Sequence, residues 1–367
     1  MPVRYVEVNP ISQLFVAATR AFGDIAIVGR CDQAATASVQ VPQAFTNPAD
    51  AAAPFAGDVA DAIAIAFRQT PGPTTVWGVR VDANSPDWAA ALTEVMKLDV
   101  QIVALAATPL NNANTAAVTA LVDHVKASEK GEDGKERIGV AALEAGATDL
   151  TAVTSSTFKQ ERMVYIAHKA DKRTAQARAA DDAAPAVAGV IAGYEPHISI
   201  LLKPIDIAMS GTFTDTQIDA FDKAGINWVT DPVLFRGRSF FMGEGYSGNR
   251  DGTKPYVDII RALDAISFAL KATLIQTIGT LRISRSGLRA IITLVQSVLS
   301  PLQAREVIEG YAIHIPLLVL LDKDPDSLSD AELKQIDAAQ AARRVDMAVT
   351  VDYAGAIHRL RIDLVFR

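Results

Sequence analysis

Between Gly23 and Val229, short apolar runs of strand length alternate with segments whose apolar residues recur at helical spacing. That alternation is the strongest constraint on the fold. Ile25 to Val28 reads as a buried strand, and Asp58 to Arg68 as a helix with Val59, Ile63 and Phe67 on one face. Thr75 to Val81 is strand-like, and Ser85-Pro86 then opens a helix presenting Trp88, Leu92, Val95 and Met96. Ile102 to Ala107, Ile138 to Leu143, Met163 to Ala167 and Ile198 to Leu202 read as further strands. Between them lie helices over Thr115 to Lys126 and Pro185 to Gly193, with a charged loop from Ser128 to Arg137. Thr214 and Gln217 form a capping box for a helix ending at Gly225, before a strand from Ile226 to Val229. Strands separated by helices pair in parallel, so the pattern predicts an α/β unit with a parallel-type sheet flanked by helices.

After Pro255 the texture changes to α+β. Long helices are predicted over Tyr256 to Ile278 and Ser286 to Leu299, then a strand at Tyr311 to Ile315. Ser329 and Glu332 make a second capping box, for a helix running to about Arg343. Strands at Val345 to Val351 and Ile357 to Val365 flank the turn Tyr353-Ala-Gly355. The expected organisation is an N-terminal arm at 1–20, an α/β domain at 21–255, a helical part at 256–344 and a C-terminal β arm at 345–367.

Composition excludes several functions. A net charge of −7 argues against general nucleic-acid binding, which needs a clustered basic excess. A single cysteine, Cys31, forms neither a disulfide framework nor a Cys-based metal cluster, and reads as a small buried residue. The start, Met1-Pro-Val-Arg-Tyr5, has no apolar core like a secretory signal, and the longest apolar stretches, such as Ile259 to Ile278, are broken by charges, there Arg261, Asp264 and Lys271. Assembly in cytoplasm without membrane insertion is the expectation.

Three motifs invite chemistry and fail its requirements. Gly243-Glu-Gly-Tyr-Ser-Gly248 spells a dinucleotide fingerprint, but turn residues follow it where a helix must begin. Asp322-Lys-Asp-Pro-Asp326 alternates carboxylates like a calcium loop, yet Ser327 stands at the required glycine and Leu333 at the closing glutamate; it reads as an acidic helix-capping loop. Ser155 and Ser156 with Lys159 lack any supporting motif. The five histidines (His124, His168, His197, His314, His358) show no ligand-like spacing. The expectation is no catalytic, cofactor-binding or metal-binding residue and no cofactor.

Several segments resemble the contractile tail sheath family of phages and related injection systems. Lys254-Pro-Tyr-Val-Asp-Ile-Ile-Arg261, Leu281-Arg-Ile-Ser-Arg-Ser-Gly-Leu288 and Val351-Asp-Tyr-Ala-Gly-Ala-Ile-His-Arg-Leu-Arg-Ile362 carry it most clearly. Gly23-Asp-Ile-Ala-Ile-Val-Gly-Arg30, Asp182-Ala-Ala-Pro-Ala-Val-Ala-Gly189 and Gly225-Ile-Asn-Trp-Val-Thr230 add to it. The chain departs from the family in being short for large outward insertions, and in Arg30-Cys31-Asp32 following the opening strand. The resemblance implies a structural subunit, not an enzyme. It would polymerise with itself around an inner tail tube, meet baseplate and tail terminator proteins, and contract within a virion tail or injection particle.

Family arms add strands to neighbouring subunits. By that analogy Val3, Tyr5, Val6 and Val8 at one end, and Met347, Val349 and Val351 at the other, are candidates for inter-subunit strand addition. Pairing of both ends within one subunit is the alternative. Lys271, Arg282, Arg285 and Arg289 form a basic segment in an acidic protein. They fit either contact with a negatively charged tube or a solvated helix face. A sheath-capping or baseplate protein, and an α/β enzyme with an unrecognised site, are the rival readings.

Overall fold

The computed structural model describes residues 22–130, 135–169, 182–232 and 240–359. These form two compact units, one of 22–265 with 353–359 and one of 266–352.

The α/β unit begins with β1 (Ile25–Arg30), β2 (Gln43–Phe45), α1 (Asp58–Arg68), β3 (Val76–Val81), α2 (Trp88–Met96) and β4 (Ile102–Leu105). It continues through α3 (Thr115–Glu129), β5 (Ile138–Ala142), β6 (Met163–Ala167), α4 (Ala183–Gly193), α5 (Asp215–Ala224), β7 (Asn227–Thr230) and β8 (Phe241–Met242). One eight-stranded sheet results, in the order β2-β3-β1-β4-β5-β6-β7-β8. Its inner strands, β3 through β7, run parallel, while β2 and β8 close the edges antiparallel.

The strands read as continuous apolar runs because both faces are covered. Ile25 and Ile27 join one core with α1 and α4, whereas Ala26 and Val28 join the opposite core with α2, α3 and α5. Almost every residue of α4 is buried, so its alanines suit a helix packed on all sides. The Thr214–Gln217 capping box forms as predicted, and Gly225 ends α5 at φ 70, a left-handed conformation that glycine adopts without strain.

Three readings are corrected here. Of the strand expected at Ile357 to Val365, residues 357–359 form none, and the rest lies outside the described residues. Ile198 to Leu202 is not a strand: Leu202 turns at φ 53 and the Lys203 amide donates to the Ile200 carbonyl at 3.1 Å. The helix after Ser85-Pro86 starts at Trp88, capped by Asp87, whose Oδ1 accepts from the Ala90 amide at 2.9 Å.

A long helix, α6 (Val257–Ile275), leaves the α/β unit at residue 265. The second unit then contains α7 (Arg285–Ala304), β9 (Ile308–His314), α8 (Pro316–Asp322), α9 (Asp330–Ala342) and β10 (Ala348–Tyr353) up to Asp352. Its core is small: Leu288, Ile315, Leu317 and Ile336, with half-buried neighbours such as Ile283, Ile292 and Met347. Ser329 and Glu332 form the second capping box at the start of α9. No described helix is long and apolar enough to cross a membrane.

Candidate functional site

The second unit holds its own two-stranded sheet, β9 with β10. Exposure alternates along β10: Val349 and Val351 are half-buried, while Ala348, Thr350 and Asp352 face out. Met347 just precedes the strand and packs on the small core. The sequence-predicted Met347, Val349 and Val351 therefore lie together, and β10 uses one edge on β9 of its own chain. The outer edge of each strand has no partner strand among the described residues. Such edges expose rows of backbone donors and acceptors, and a two-stranded sheet alone is marginally stable. Val3, Tyr5, Val6 and Val8 lie outside the described residues.

The basic segment divides in two. Arg285 and Arg289, four residues apart at the start of α7, both reach Asp322, at 4.0 and 3.1 Å. Arg285 also donates to the carbonyls of Leu321 and Lys323. These groups close the C-terminal end of α8, where carbonyls lack helical partners and cations are favoured. The two arginines thus serve the unit's own structure, yet their side chains remain 52% and 64% exposed. Lys271 and Arg282 are exposed as well. Between those two positions Ile275 and Ile278 stand 67% and 77% exposed, a feature the charge pattern did not reveal.

In the α/β unit, the glycine-rich loop Gly243 to Gly248 follows β8 and leads into no helix before Val257. Packing accounts for its first glycine, since a Cβ at Gly243 would overlap the Trp228 indole. The loop presents Glu244 and Tyr246, both buried, to residues 353–359. His358 bridges Glu244 Oε1 through Nδ1 at 2.7 Å and Ser199 Oγ through Nε2 at 2.9 Å. Its ring lies against Tyr256, centroids 4.4 Å apart. Arg359 donates to Asp222 Oδ1 at 2.8 Å, and the Tyr353 hydroxyl donates to Asp258 Oδ2 at 2.9 Å.

Burial raises the Asp258 carboxyl above its usual range, an effect the Tyr353 hydrogen bond only partly offsets. Burial also acts upward on Asp222. There the Tyr246 hydroxyl, Arg250 and Arg359 outweigh it and hold the carboxyl low.

The remaining candidates take structural roles. Burial pushes the Cys31 thiol up to about 11, far from a reactive thiolate. Burial lowers His124 to about 3 and His168 to about 4, so both are neutral packing groups. Asp324 caps the short 3-10 turn Pro325–Ser327, accepting from the Asp326 amide at 3.2 Å. Lys159 pairs with Asp251 at 3.5 Å.

No family model matches the sequence, and no curated protein matches it. Solved structures do. A chain of the PVC sheath complex, an extracellular contractile injection system in the contracted state, superposes with a TM-score of 0.70 at 11% identity, covering 100% of this chain and 98% of that one. The fold is that of a contractile sheath protein. A chain of the anti-feeding prophage helical sheath, also contracted, gives 0.66 at 16% identity over 100% and 98% of the two chains. A chain of the anti-feeding prophage baseplate gives 0.67 at 14% over 100% and 99%. The sheath tail protein of Listeria innocua gives 0.59 at 11%, over 90% and 95%. The sheath fold thus includes the α/β unit and the small C-terminal unit alike.

Proposed function

We propose that the chain is a structural subunit of a contractile sheath, which polymerises helically around an inner tube and shortens to drive that tube through a target envelope. The observation that carries this reading is end-to-end likeness to sheath complexes, 100% of this chain against 98% of theirs. A likeness that covers both units is more than a shared α/β scaffold, which by itself hosts many functions.

In this reading the unpaired edges of β9 and β10 receive strands from neighbouring copies. Residues 1–20, with Val3, Tyr5, Val6 and Val8, are one source of such a strand. Head-to-tail contacts that do not close on themselves generate a helical array. Lys271, Arg282, Arg285 and Arg289, with Ile275 and Ile278 among them, form a surface for an acidic tube. Half-exposed charges in water hold weakly and release readily, as sliding requires. Work comes from repacking: an additional 200 Å² buried per subunit is worth about 5 kcal/mol at roughly 25 cal/mol per Å². The chain needs no catalytic residue or cofactor for this. Its place is a particle tail, assembled in host cytoplasm with baseplate and terminator proteins at the ends.

Negative-stain microscopy of the purified protein tests the reading. Hollow striated rods are expected. Isolated rings alone would favour a capping or baseplate role, and small featureless particles an α/β enzyme. Deleting residues 1–20 should abolish rods; undiminished polymerisation would exclude that segment as the strand donor.

A further inference from the structure

Residues 354–359 form no helix or strand, yet the stretch beginning at Tyr353 is held at both ends by groups from four parts of the α/β unit. Tyr353 and His358 mark the two attachment points. At the first, Tyr353 meets Asp258 at the start of α6, a carboxylate only 4% exposed. At the second, His358 enters a site made by Ser199, after α4, and Glu244, in the glycine-rich loop. The His358 and Glu244 side chains are only 9% and 5% exposed. A carboxylate only accepts, so Nδ1–H donates to Glu244, and Ser199 Oγ is placed against Nε2. Arg359 adds Asp222, on α5, at 2.8 Å and the Tyr246 hydroxyl at 3.3 Å. Between the attachments Ile357 is 82% exposed, so the segment is fastened at its ends and not packed along its length.

Ordering a residue costs about 1–2 kcal/mol of backbone entropy, and an irregular peptide has no ladder to offset it. A charge-assisted hydrogen bond in a shielded site, as between His358 and Glu244, is strong enough to do so, while Arg359, its side chain 68% exposed, adds a weaker contact. Immediately beyond Arg359 the sequence reads Leu360-Arg-Ile-Asp-Leu-Val-Phe-Arg367, apolar at every second position from Leu360 to Phe366. That is the pattern of a strand with one covered face.

We propose that His358 and Arg359 are positioning residues. They anchor the chain to the α/β unit through Glu244, Ser199 and Asp222, and so fix the point from which the sequence beyond Arg359 continues. The claim rests on the sheath reading and adds a mechanical assignment to it. Tension on 360–367 passes into the α/β unit at His358 before it reaches β10, whose only partner strand among the described residues is β9. During contraction the anchor keeps a pulled strand from peeling β10 off its sheet.

The experiment uses the full chain, diluted until microscopy shows single particles. Trypsin cleavage after Arg359 is followed by mass spectrometry in the wild type, in His358→Ala, and in the charge swap Glu244→His with His358→Glu. Cleavage tracks the population of the detached tail. His358→Ala should be cut about tenfold faster, the ratio for one hydrogen bond of ordinary to charged strength, and the swap should recover most of the protection. Equal rates in wild type and His358→Ala overturn the anchor. Failure of the swap to protect overturns the His358–Glu244 pair as its basis. The same proteins are then concentrated and imaged. Wild-type rods with short or fragmented rods in His358→Ala are expected, and equal rods from both overturn the anchor's role in assembly. Absence of rods in the wild type would instead count against the sheath reading, while the cleavage ratio still decides the anchor.

Discussion

The two units of this chain solve the problem of burial in opposite ways. In the α/β unit an eight-stranded sheet is covered on both faces, and whole helices such as α4 disappear into the core. In the 266–352 unit, α7 runs from Arg285 to Ala304 yet buries only Gly287, Leu288, Val295 and Leu299, and the sheet has two strands. A closed body and an unfinished one share a single chain. In the proposed sheath, the exposure in the second unit, of strand edges, of Ile275 and Ile278 and of basic side chains, is what neighbouring copies would cover. The α/β unit, covered on both faces of its sheet, is the body they would move.

The sharpest way to break this contrast is to attack the closed body where charge is buried. Arg162 is 6% exposed and held by Asp264 at 2.7 and 2.8 Å, with Glu129 at 3.2 Å. Asp264→Ala leaves that guanidinium half-compensated and should cost about 3–5 kcal/mol in chemical denaturation of the unassembled subunit. A loss under about 1 kcal/mol would mean the interior is wetter than the packing indicates. Next comes a matched pair of truncations. Ile63→Ala, in the fully buried core of the α/β unit, should cost about 3–4 kcal/mol. Leu317→Ala, in the thin core of the second unit, should cost about 1–2 kcal/mol, since its surroundings can relax. Equal losses would erase the distinction between the units.

Smaller effects sharpen the picture. Gly243→Ala forces a methyl against the Trp228 indole and should cost about 1–3 kcal/mol, read as a lowered denaturant midpoint. Ser329→Ala removes a capping box from α9 and should cost about 1 kcal/mol. The smallest effect is a pH dependence at Asp222. Its carboxyl is held below the ordinary value near 4, so the stabilisation is fully present above that pH. It fades as the pH falls through the lowered folded-state value. The difference in denaturant midpoint between the wild type and Asp222→Asn should therefore shrink on acidification below about pH 4 and stay flat above it. A difference that begins to shrink above the ordinary carboxylate range would exclude Asp222 as the group responsible.

Much of the fold was legible because its signals are local. Both capping boxes, Thr214 with Gln217 and Ser329 with Glu332, span three residues and formed where they were read. Buried parallel strands such as Met163 to Ala167 announce themselves as unbroken apolar runs. Ile198 to Leu202 misled for the same reason: an apolar run does not tell a strand from a turn, and Leu202 turned left-handed just before Lys203-Pro204. β2 and β8, at three and two residues, are too short to show a period. Pro316 to Asp322 was missed because its apolar residues fit helix and strand alike.

The site was less legible. Ser199, Asp222, Glu244 and His358 are brought together only by the fold, across as many as 159 residues of sequence. The one local hint was the glycine-rich loop, whose spelling suggested a nucleotide and whose geometry instead delivers a carboxylate to the tail. Arg285 and Arg289 read as part of a basic segment, whereas their pairing with Asp322 follows from how α7 and α8 pack.

Everything in the proposed mechanism turns on whether the open edges in the second unit are completed by other copies. Helical reconstruction of the assembled particle by electron cryo-microscopy measures this directly. The account predicts that the sheet of β9 and β10 carries at least one further strand in hydrogen-bonding register, traceable to a neighbouring subunit. A particle in which that sheet stays two-stranded, with solvent along both edges, would contradict it.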